Sequence, residues 1–462
     1  MKRASDKVIA GSFRDPSGFL FTRGGALYRQ INKTYKEHYD LLMGSGLFNA
    51  LVGKGLLIPH EEVDIAFAEP ETGYKVIKPD VVQFISYPYE WCFSQLKDAA
   101  LTTLNIQKIA FEHGMILKDA SAYNIQFVDG RPVFIDTLSF ERYREGEPWV
   151  AYRQFCQHFL APLALMRYTD VRLNLMSRLF IDGIPLDLAS AILPKRTRFR
   201  FSLFTHIHLH AGSQRRYANR VVNKDDYMVS AVGFTGLIES LESAVKKLKW
   251  KTARSVWAEY YEDTNYSDEA MEDKKRIVAQ FIDRVKPKVV LDMGANVGLF
   301  SRVASKQGAL VISMDNDPVA VELNYREVKK GGEKNILPLV ADITNPSPGI
   351  GWEGRERSSL IERGGDADMV MALALVHHLA ISNNLPFAKI ATFLSGIGKM
   401  LIIEFIPKDD SQVQRLLATR EDIFTDYTQK NFEGEFKKQF NIIENIKISD
   451  SKRSIYLMEK RR

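Results

Sequence analysis

The apolar positions after residue 288 fall into short runs that are separated by amphipathic stretches. The runs begin at Val289, Leu310, Ile336, Asp368 and Met400. Strands that alternate with helical patterns are typical of a parallel sheet covered by helices. Two later runs, Phe440–Ile448 and Ser454–Met458, predict a closing antiparallel pair. The pattern therefore predicts an α/β fold, a doubly wound Rossmann-like sheet, for the C-terminal half.

The first half of the chain follows a different pattern. Residues 12–140 mix short alternating apolar runs with one long helical stretch, Phe93–His113, and residues 145–220 predict further helices. Residues 221–287 are charged and amphipathic. We therefore predict an α+β domain over residues 1–220, linker helices over 221–254 and a second domain over 255–462.

Composition agrees with a globular protein of two large domains. The 462 residues exceed one ordinary core, and the apolar fraction is 45% and the charged fraction 26%. The net charge of +6 permits contact with phosphates but does not require it. Cys92 and Cys156 form no CxxC pair, and the N-terminus has no signal-peptide pattern. We expect a cytoplasmic protein without a transmembrane segment.

The clearest chemical signal is a glycine turn after the strand that begins at Val289. Asp292 is followed by Gly294 and Gly298, with a helix start behind them. Glycine lets the backbone turn tightly and approach a ligand, and the helix start directs backbone amides at the same place. Asp315 ends the second strand, about 20 residues after the glycines, the usual distance of a carboxylate that holds ribose hydroxyls.

This series resembles the class I S-adenosylmethionine-dependent methyltransferase family over roughly residues 255–462. The resemblance rests on the glycine turn, Asp315, Ala341-Asp342 and the stretch 366–378. It implies that the glycine turn cradles the amino-acid part of S-adenosylmethionine, that Asp315 binds ribose and that Asp342 meets the adenine amino group. The candidate cofactor residues are therefore Asp292, Gly294, Asn296, Gly298, Asp315 and Asp342.

Two alternatives remain open for these residues. An NAD-binding Rossmann domain also has a glycine turn after its first strand, but the third glycine of its G-x-G-x-x-G pattern is absent here. Some acids are alternatively helix caps, as Asp317 before Pro318 would be.

Candidate catalytic residues follow the fourth strand and precede the first helix. His377 or His378, near neutral pKa, would serve as a base for a hydroxyl acceptor. The alternative is packing beneath the cofactor. Tyr266 is expected to fold over the cofactor, with packing against the sheet edge as its alternative. No cysteine follows Cys156 and no Asn/Asp-Pro-Pro-Tyr/Phe run occurs, so an oxygen acceptor fits best.

The N-terminal half carries a second set of candidate residues. Asp119 is followed by Asn124, by a predicted hairpin turning at Asp129-Gly130, and by Asp136. This order resembles protein-kinase-like and aminoglycoside-phosphotransferase-like folds. The resemblance implies that Asp119 orients a hydroxyl and that Asn124 and Asp136 hold the magnesium of Mg-ATP.

The sequence also departs from the kinase pattern. No lysine stands in a Val-Ala-Ile-Lys context, and Arg29 is the nearest cation. A second predicted hairpin turns at Gly24-Gly25, and Phe84–Glu90 is predicted as a hinge strand between two lobes. The alternative is an unrelated α+β domain in which Asp119 and Asn124 form a turn.

The whole chain also resembles rhizobial host-specificity nodulation methyltransferases, at 265–267, Ala374–Leu379 and Glu404–Asp409. That resemblance implies a glycan-type acceptor. We therefore expect an S-adenosylmethionine-dependent methyltransferase that methylates an oxygen of a small molecule or glycan. The alternatives are an RNA methyltransferase that uses basic runs such as Lys195–Arg200, which is not favoured, and a kinase-like phosphotransferase or pseudokinase with a regulatory methyltransferase-like domain.

Overall fold

The structure is a computed structural model that describes residues 7–210, 228–250, 267–365, 367–418 and 420–461. The chain forms two compact units. The first comprises Met1–Lys251 and Gly349–Arg357, and the second comprises Thr252–Pro348 and Ser358–Arg462. The helix Ala231–Lys247, within the predicted linker, lies in the first unit, where Phe234 stacks on Phe111 with ring centroids 4.7 Å apart.

The first unit is an α+β domain with one larger antiparallel sheet and two short antiparallel pairs. The sheet has the order β1-β2-β3-β5-β4, with β1 (Lys7–Val8), β2 (Gly18–Arg23), β3 (Ala26–Asn32), β4 (His60–Val63) and β5 (Gly73–Pro79). The pairs join β6 (Met115–Leu117) to β9 (Phe140–Arg142) and β7 (Ile125–Val128) to β8 (Arg131–Phe134).

Both predicted hairpins are confirmed. Gly24 and Gly25 have φ of 59° and 84°, and Asp129 and Gly130 have φ of 51° and 73°. A type I′ hairpin turn requires positive φ at both of its central residues, and its twist matches that of the strands it joins.

Helices make up much of the rest of the first unit. They are α1 (Lys36–Gly44), α2 (Leu47–Gly53), α3 (Phe93–Glu112), α4 (Tyr152–Phe155), α5 (Ala161–Tyr168), α6 (Met176–Leu179), α7 (Leu186–Ile192), α8 (Phe201–Leu203) and α9 (Ala231–Lys247). The long helix α3 confirms the helix that the sequence predicts over Phe93–His113.

The predicted hinge strand over Phe84–Glu90 is wrong. The Ser86 amide donates to Oε1 of Gln126 at 2.8 Å, and the Tyr87 amide donates to Oε2 of Glu90 at 2.9 Å. Pro88–Glu90 forms a 3₁₀ turn, and proline has no amide to give to a ladder. Side chains therefore satisfy the backbone groups that a strand would pair.

The second unit is a doubly wound α/β domain, as predicted. Its sheet has the order β12-β11-β10-β13-β14-β16-β15, with β10 (Val289–Met293), β11 (Leu310–Asp315), β12 (Ile336–Val340), β13 (Ala367–Ala372), β14 (Gly398–Phe405), β15 (Phe440–Lys447) and β16 (Ser454–Lys460). The strands β10 to β14 are parallel, and β16 runs antiparallel to both β14 and β15. The predicted doubly wound sheet and its closing antiparallel pair are thus confirmed. Strand order reverses between β10 and β13, where such sheets bind ligands.

Seven helices accompany this sheet in the described part of the second unit. They are α10 (Asp268–Val285), α11 (Leu299–Ser305), α12 (Pro318–Gly331), α13 (Leu360–Gly364), α14 (Phe387–Ile397), α15 (Ser411–Leu417) and α16 (Gln429–Phe436). Ser267 caps α10 by accepting the Ala270 amide at 3.1 Å. Ile277 and Phe281, one turn apart on α10, pack into the core with Val290 of β10. Among the described residues, no helix combines the length and apolar character that crossing a bilayer requires.

Candidate active site

A cavity of about 300 Å³ opens at the carboxyl ends of the parallel strands β10 to β13. Its polar lining includes Lys274, Asp292, Asn296, Asp315, Asp342 and His378. Its apolar lining includes Met271, Leu373, Leu375 and Leu416. Five of the six predicted cofactor residues, all except Gly298, therefore border one cavity, and Gly298 ends the same loop.

The glycine loop after β10 is held in a left-handed conformation. Gly294, Asn296 and Gly298 have φ of 74°, 52° and 80°. The amides of Gly294 and Ala295 both donate to the Met314 carbonyl at 2.9 Å, which ties the loop to the end of β11. A Cβ on Gly298 would lie 2.5 Å from Oδ1 of Asn324, so only glycine fits there. Asn296 adopts a backbone conformation that is uncommon outside glycine and recurs at functional sites.

Asp292 is nearly buried, with 2% of its surface exposed. It accepts a hydrogen bond from Oγ of Ser301 at 2.6 Å. Burial raises the pKa of Asp292 to about 7, and the charge of Asp315 adds to the rise, while the Ser301 bond and Lys274 oppose it. The carboxyl group therefore changes its protonation state near neutral pH.

Asp315 holds the glycine loop and remains able to accept further hydrogen bonds. Its Oδ2 accepts the Asn296 amide at 2.8 Å, and its Oδ1 accepts the Asp317 amide at 2.9 Å. Burial raises the pKa of Asp315. Each carboxylate oxygen has two acceptor sites, so both can still take hydroxyl donors from the cavity.

Asp342 is exposed at the cavity, whereas Asp317 caps a helix. Oδ1 of Asp342 accepts the amide and the hydroxyl of Thr344 at 2.9 and 2.7 Å. Oδ1 of Asp317 accepts the Val319 amide at 2.9 Å, at the start of α12. The prediction that Asp317 is a helix cap is confirmed.

The two neighbouring histidines have different surroundings, although their rings are only 4.1 Å apart. His378 borders the cavity, and burial lowers its pKa to about 4. His377 is fully buried, and burial, helped by His378, Arg453 and Lys274, lowers its pKa well below the ordinary value. Neither ring nitrogen of His377 has a hydrogen-bond partner among the described residues. Tyr266, the third predicted catalytic residue, lies outside the described residues.

A buried ionic network lies beside the cavity, and sequence reasoning assigned no role to it. Nζ of Lys274 lies 2.7 Å from Oε2 of Glu404, which also accepts the Ala374 amide at 2.8 Å. Arg453 donates to both carboxylate oxygens of Asp410 at 2.8 and 3.0 Å, and its Nη1 lies 3.8 Å from Oε1 of Glu404. Glu404 thus joins α10, the turn after β13 and the start of β16. The only available signal was that Glu404 opens the stretch Glu404–Asp409.

The N-terminal candidates also come together. Asn124 donates to Oγ of Ser139 at 3.2 Å, and Ser139 in turn donates to Asp136. Asp119 accepts hydrogen bonds from the Ser121 amide and from the side chain of Asn124. Burial and then the charge of Asp136 raise the pKa of Asp119. The predicted trio therefore forms one cluster.

Asp136, one of the two predicted magnesium ligands in that cluster, is paired with a guanidinium group. Arg29 pairs directly with Asp136, and its Nη2 also lies 3.2 Å from Oδ2 of Asp15. Burial acts to raise the pKa of Asp136, but Arg29 and hydrogen bonds from Ser139 and the Leu138 amide outweigh it and lower that pKa. Within the described ranges, no group of three or more His, Cys, Asp or Glu side chains has an arrangement suited to a metal ion.

No protein-family model matches the chain. The nodulation protein NoeA of Rhizobium meliloti (strain 1021) is 36% identical over 461 residues, which cover 98% of this chain and 96% of that protein. Among solved structures, the bifunctional kinase-methyltransferase WbdD is 16% identical over 44% of this chain and 41% of its own, with a TM-score of 0.31. An S-adenosylmethionine-dependent methyltransferase from Aquifex aeolicus is 16% identical over 45% of this chain and 100% of its own, with a TM-score of 0.33.

Proposed function

The chain belongs to the family of the nodulation protein NoeA, and from that premise we propose that it is an S-adenosylmethionine-dependent methyltransferase acting on oxygen. The observation that carries the proposal is the cavity at the switch point of the sheet. It gathers the glycine loop, Asp315 and Asp342 at the carboxyl ends of three neighbouring strands.

The chemistry of the lining suits a charged nucleoside. Leu373 and Leu375 offer apolar surface, while Asp315 and Asp342 offer acceptors for ribose hydroxyls and for an adenine amino group. Asp292 lies behind the glycine loop, where its ionised form would favour the positive charges of the methionine part. S-adenosylmethionine, when bound, supplies a methyl group on a sulfonium centre.

His378 is the proposed base. It borders the cavity, and burial lowers its pKa to about 4, below the near-neutral value predicted from the sequence. The ring is therefore a weaker base than a free imidazole, but it is neutral at pH 7 and one ring nitrogen carries no proton. It would take the proton of an acceptor hydroxyl as the oxygen bonds to the methyl carbon and the bond from that carbon to sulfur breaks, which would leave S-adenosylhomocysteine. His377, which lies beneath it and does not border the cavity, would position the His378 ring.

An oxygen acceptor on a small molecule or glycan agrees with two features. The second unit has no cysteine, so a thiolate nucleophile is absent from it. The relative is named for nodulation, and the rhizobial resemblance points to a glycan-type acceptor. A cytoplasmic location agrees with Cys92 and Cys156, which are buried thiols that form no disulfide.

Calorimetric titration of the full chain with S-adenosylmethionine and S-adenosylhomocysteine tests the cofactor site. We expect binding in the micromolar range that the Asp315→Ala variant weakens by at least tenfold, because the ribose loses a charged acceptor. The matched control is Asp283→Ala, which removes an exposed carboxylate of α10 in the same unit. The proposal fails if the wild-type chain binds neither compound, or if the two variants have equal affinity.

The N-terminal unit supports a second candidate function, a Mg-ATP site. The observation that favours it is the single cluster of Asp119, Asn124 and Asp136. A phosphotransferase requires Arg29 to release Asp136 before a magnesium ion can bind there. Titration with Mg-ATP tests this, since binding that Asp136→Ala abolishes would support it, and an absence of heat at millimolar nucleotide would eliminate it.

A further inference from the structure

The segment 195–204, which we call the Phe–Arg ridge, exposes large apolar side chains on the first unit. Phe199 is 91% exposed, Phe201 80% and Phe204 42%. Scattered single apolar residues are normal on protein surfaces, but neighbouring exposed aromatic side chains on one short segment mark interaction sites. The ridge therefore has the character of an interaction surface.

The backbone of the ridge is anchored from beneath. Oγ1 of Thr197 donates to the Pro194 carbonyl at 2.7 Å and lies 2.9 Å from Nε2 of His208. The other ring nitrogen of His208 lies 2.8 Å from Oγ of Ser190, on α7. Leu203 is buried, with 3% exposure. These inward contacts fix which side chains point outward, so the exposure of Phe199 and Phe201 is a property of the fold.

The ridge also carries a dense positive charge. Its cations, all exposed, are Lys195, Arg196, Arg198 and Arg200. No aspartate or glutamate occurs between residues 188 and 210. The Arg200 guanidinium lies 5.5 Å from the centroid of the Tyr168 ring, and Lys195, Arg196 and Arg198 are exposed to solvent. The outward surface thus interleaves cations with phenylalanines.

We propose that the Phe–Arg ridge docks on the surface of an anionic lipid bilayer. Phe199 and Phe201 enter the boundary between headgroups and acyl chains, where aromatic side chains are stable, and the cations meet lipid phosphates. Leu209, 52% exposed on the following turn, adds aliphatic surface that hydrocarbon accepts. Single-stranded RNA would stack its bases on the aromatic side chains, but base stacking does not involve leucine. The exposed leucine therefore favours a bilayer over RNA as the partner of the ridge.

The test is cosedimentation of the full chain with vesicles of phosphatidylcholine alone and with vesicles containing equal phosphatidylcholine and phosphatidylglycerol. We expect partition into the anionic vesicles only, reduced at least tenfold in the F199S/F201S variant. The R196A/R198A variant should reduce the partition coefficient roughly 25-fold, the loss expected from two surface cations. Raising the salt concentration should also weaken the binding of the wild type to anionic vesicles, because salt screens the attraction between exposed charges.

The matched controls change equally exposed groups on the second unit. Ile423→Ser removes an apolar side chain that is 64% exposed, and K329A/K330A removes two exposed lysines of α12. Both controls should bind vesicles like the wild type, and all variants should keep the wild-type melting temperature. The proposal is overturned if the wild type does not bind anionic vesicles or binds neutral vesicles equally well. It is overturned as well if the control variants lose as much vesicle binding as the ridge variants. It is also overturned if the ridge variants lose affinity only for a single-stranded RNA.

Discussion

Nζ of Lys274 on α10 lies 2.7 Å from Oε2 of Glu404 at the end of β14, and 3% and 0% of the two side chains are exposed. Burial lowers the pKa of Lys274, and the carboxylate of Glu404 opposes that fall. Charges removed from water are stable only when paired and hydrogen-bonded. The pair therefore makes the position of α10 over the cavity depend on the end of β14.

Neutralising Glu404 should destabilise the protein strongly. Glu404→Gln leaves Lys274 buried without its counter-charge, and we expect the free energy of unfolding to fall by about 3–5 kcal/mol. Urea titration measures the change. The comparison is Lys452→Ala, which breaks an ion pair with Asp409 whose side chains are 65% and 62% exposed. That variant should lose less than about 1 kcal/mol, and equal losses in both variants would contradict the role of burial.

Replacing Gly298 by alanine should destabilise the protein more than the same replacement at Gly308, which also has a positive φ. Gly298→Ala places a Cβ 2.5 Å from Asn324 and 2.7 Å from Arg302 at φ +80°. Gly308→Ala, at φ +93°, meets no atom within 4 Å. The Gly308 variant should lose about 1–2 kcal/mol through backbone strain alone, and the Gly298 variant about 1–3 kcal/mol more through overlap. Thermal unfolding of both variants decides this, and a smaller loss at Gly298 would refute the loop geometry.

Asp292 should make stability depend on pH. Its pKa rises from 3.8 to about 7 on folding. A group whose pKa is raised by folding contributes stability that is fully present below its unfolded pKa and is lost as pH rises through the folded value. Wild-type stability relative to Asp292→Asn should therefore fall between about pH 4 and pH 7 and then level off.

Urea titrations of the wild type and Asp292→Asn at half-unit steps of pH measure that difference. The asparagine variant keeps the shape of the side chain and can still accept the Ser301 hydrogen bond. A difference in stability that stays constant from pH 4 to pH 8 would show that burial does not raise the pKa of Asp292.

His378 should affect turnover and not cofactor binding. With any acceptor that releases S-adenosylhomocysteine, His378→Ala should lower kcat by about 10²-fold or more, because the proton loses its acceptor. The affinity for S-adenosylmethionine should change little. Asp283→Ala, which removes an exposed carboxylate in the same unit, is the control and should leave kcat unchanged. Equal kcat in the His378 variant and the wild type would remove His378 from the proposed mechanism.

Local patterns predicted much of the second unit. Each parallel strand is a short apolar run followed by a polar residue at its carboxyl end, and the parallel arrangement brings Asp315 and Asp342 to one edge of the sheet. The hairpins at Gly24-Gly25 and Asp129-Gly130 were also predictable, because positive φ favours few residue types. The failure at Phe84–Glu90 has a non-local cause, since Gln126 takes the amide that a strand would pair.

The amino-acid sequence by itself determined the order of strands and helices along the chain, the glycine loop after β10, the acid that ends β11 and the acid that follows β12. Those features depend on residues that are near one another in the chain, where periodicity and backbone preference act directly. Only the tertiary structure decided that Lys274 meets Glu404, that Arg29 meets Asp136, and that His378 borders the cavity while His377 does not. The members of the two ion pairs lie far apart in sequence, and the two histidines are adjacent residues that face different surroundings. In each case the packing of the whole unit decides which contacts form.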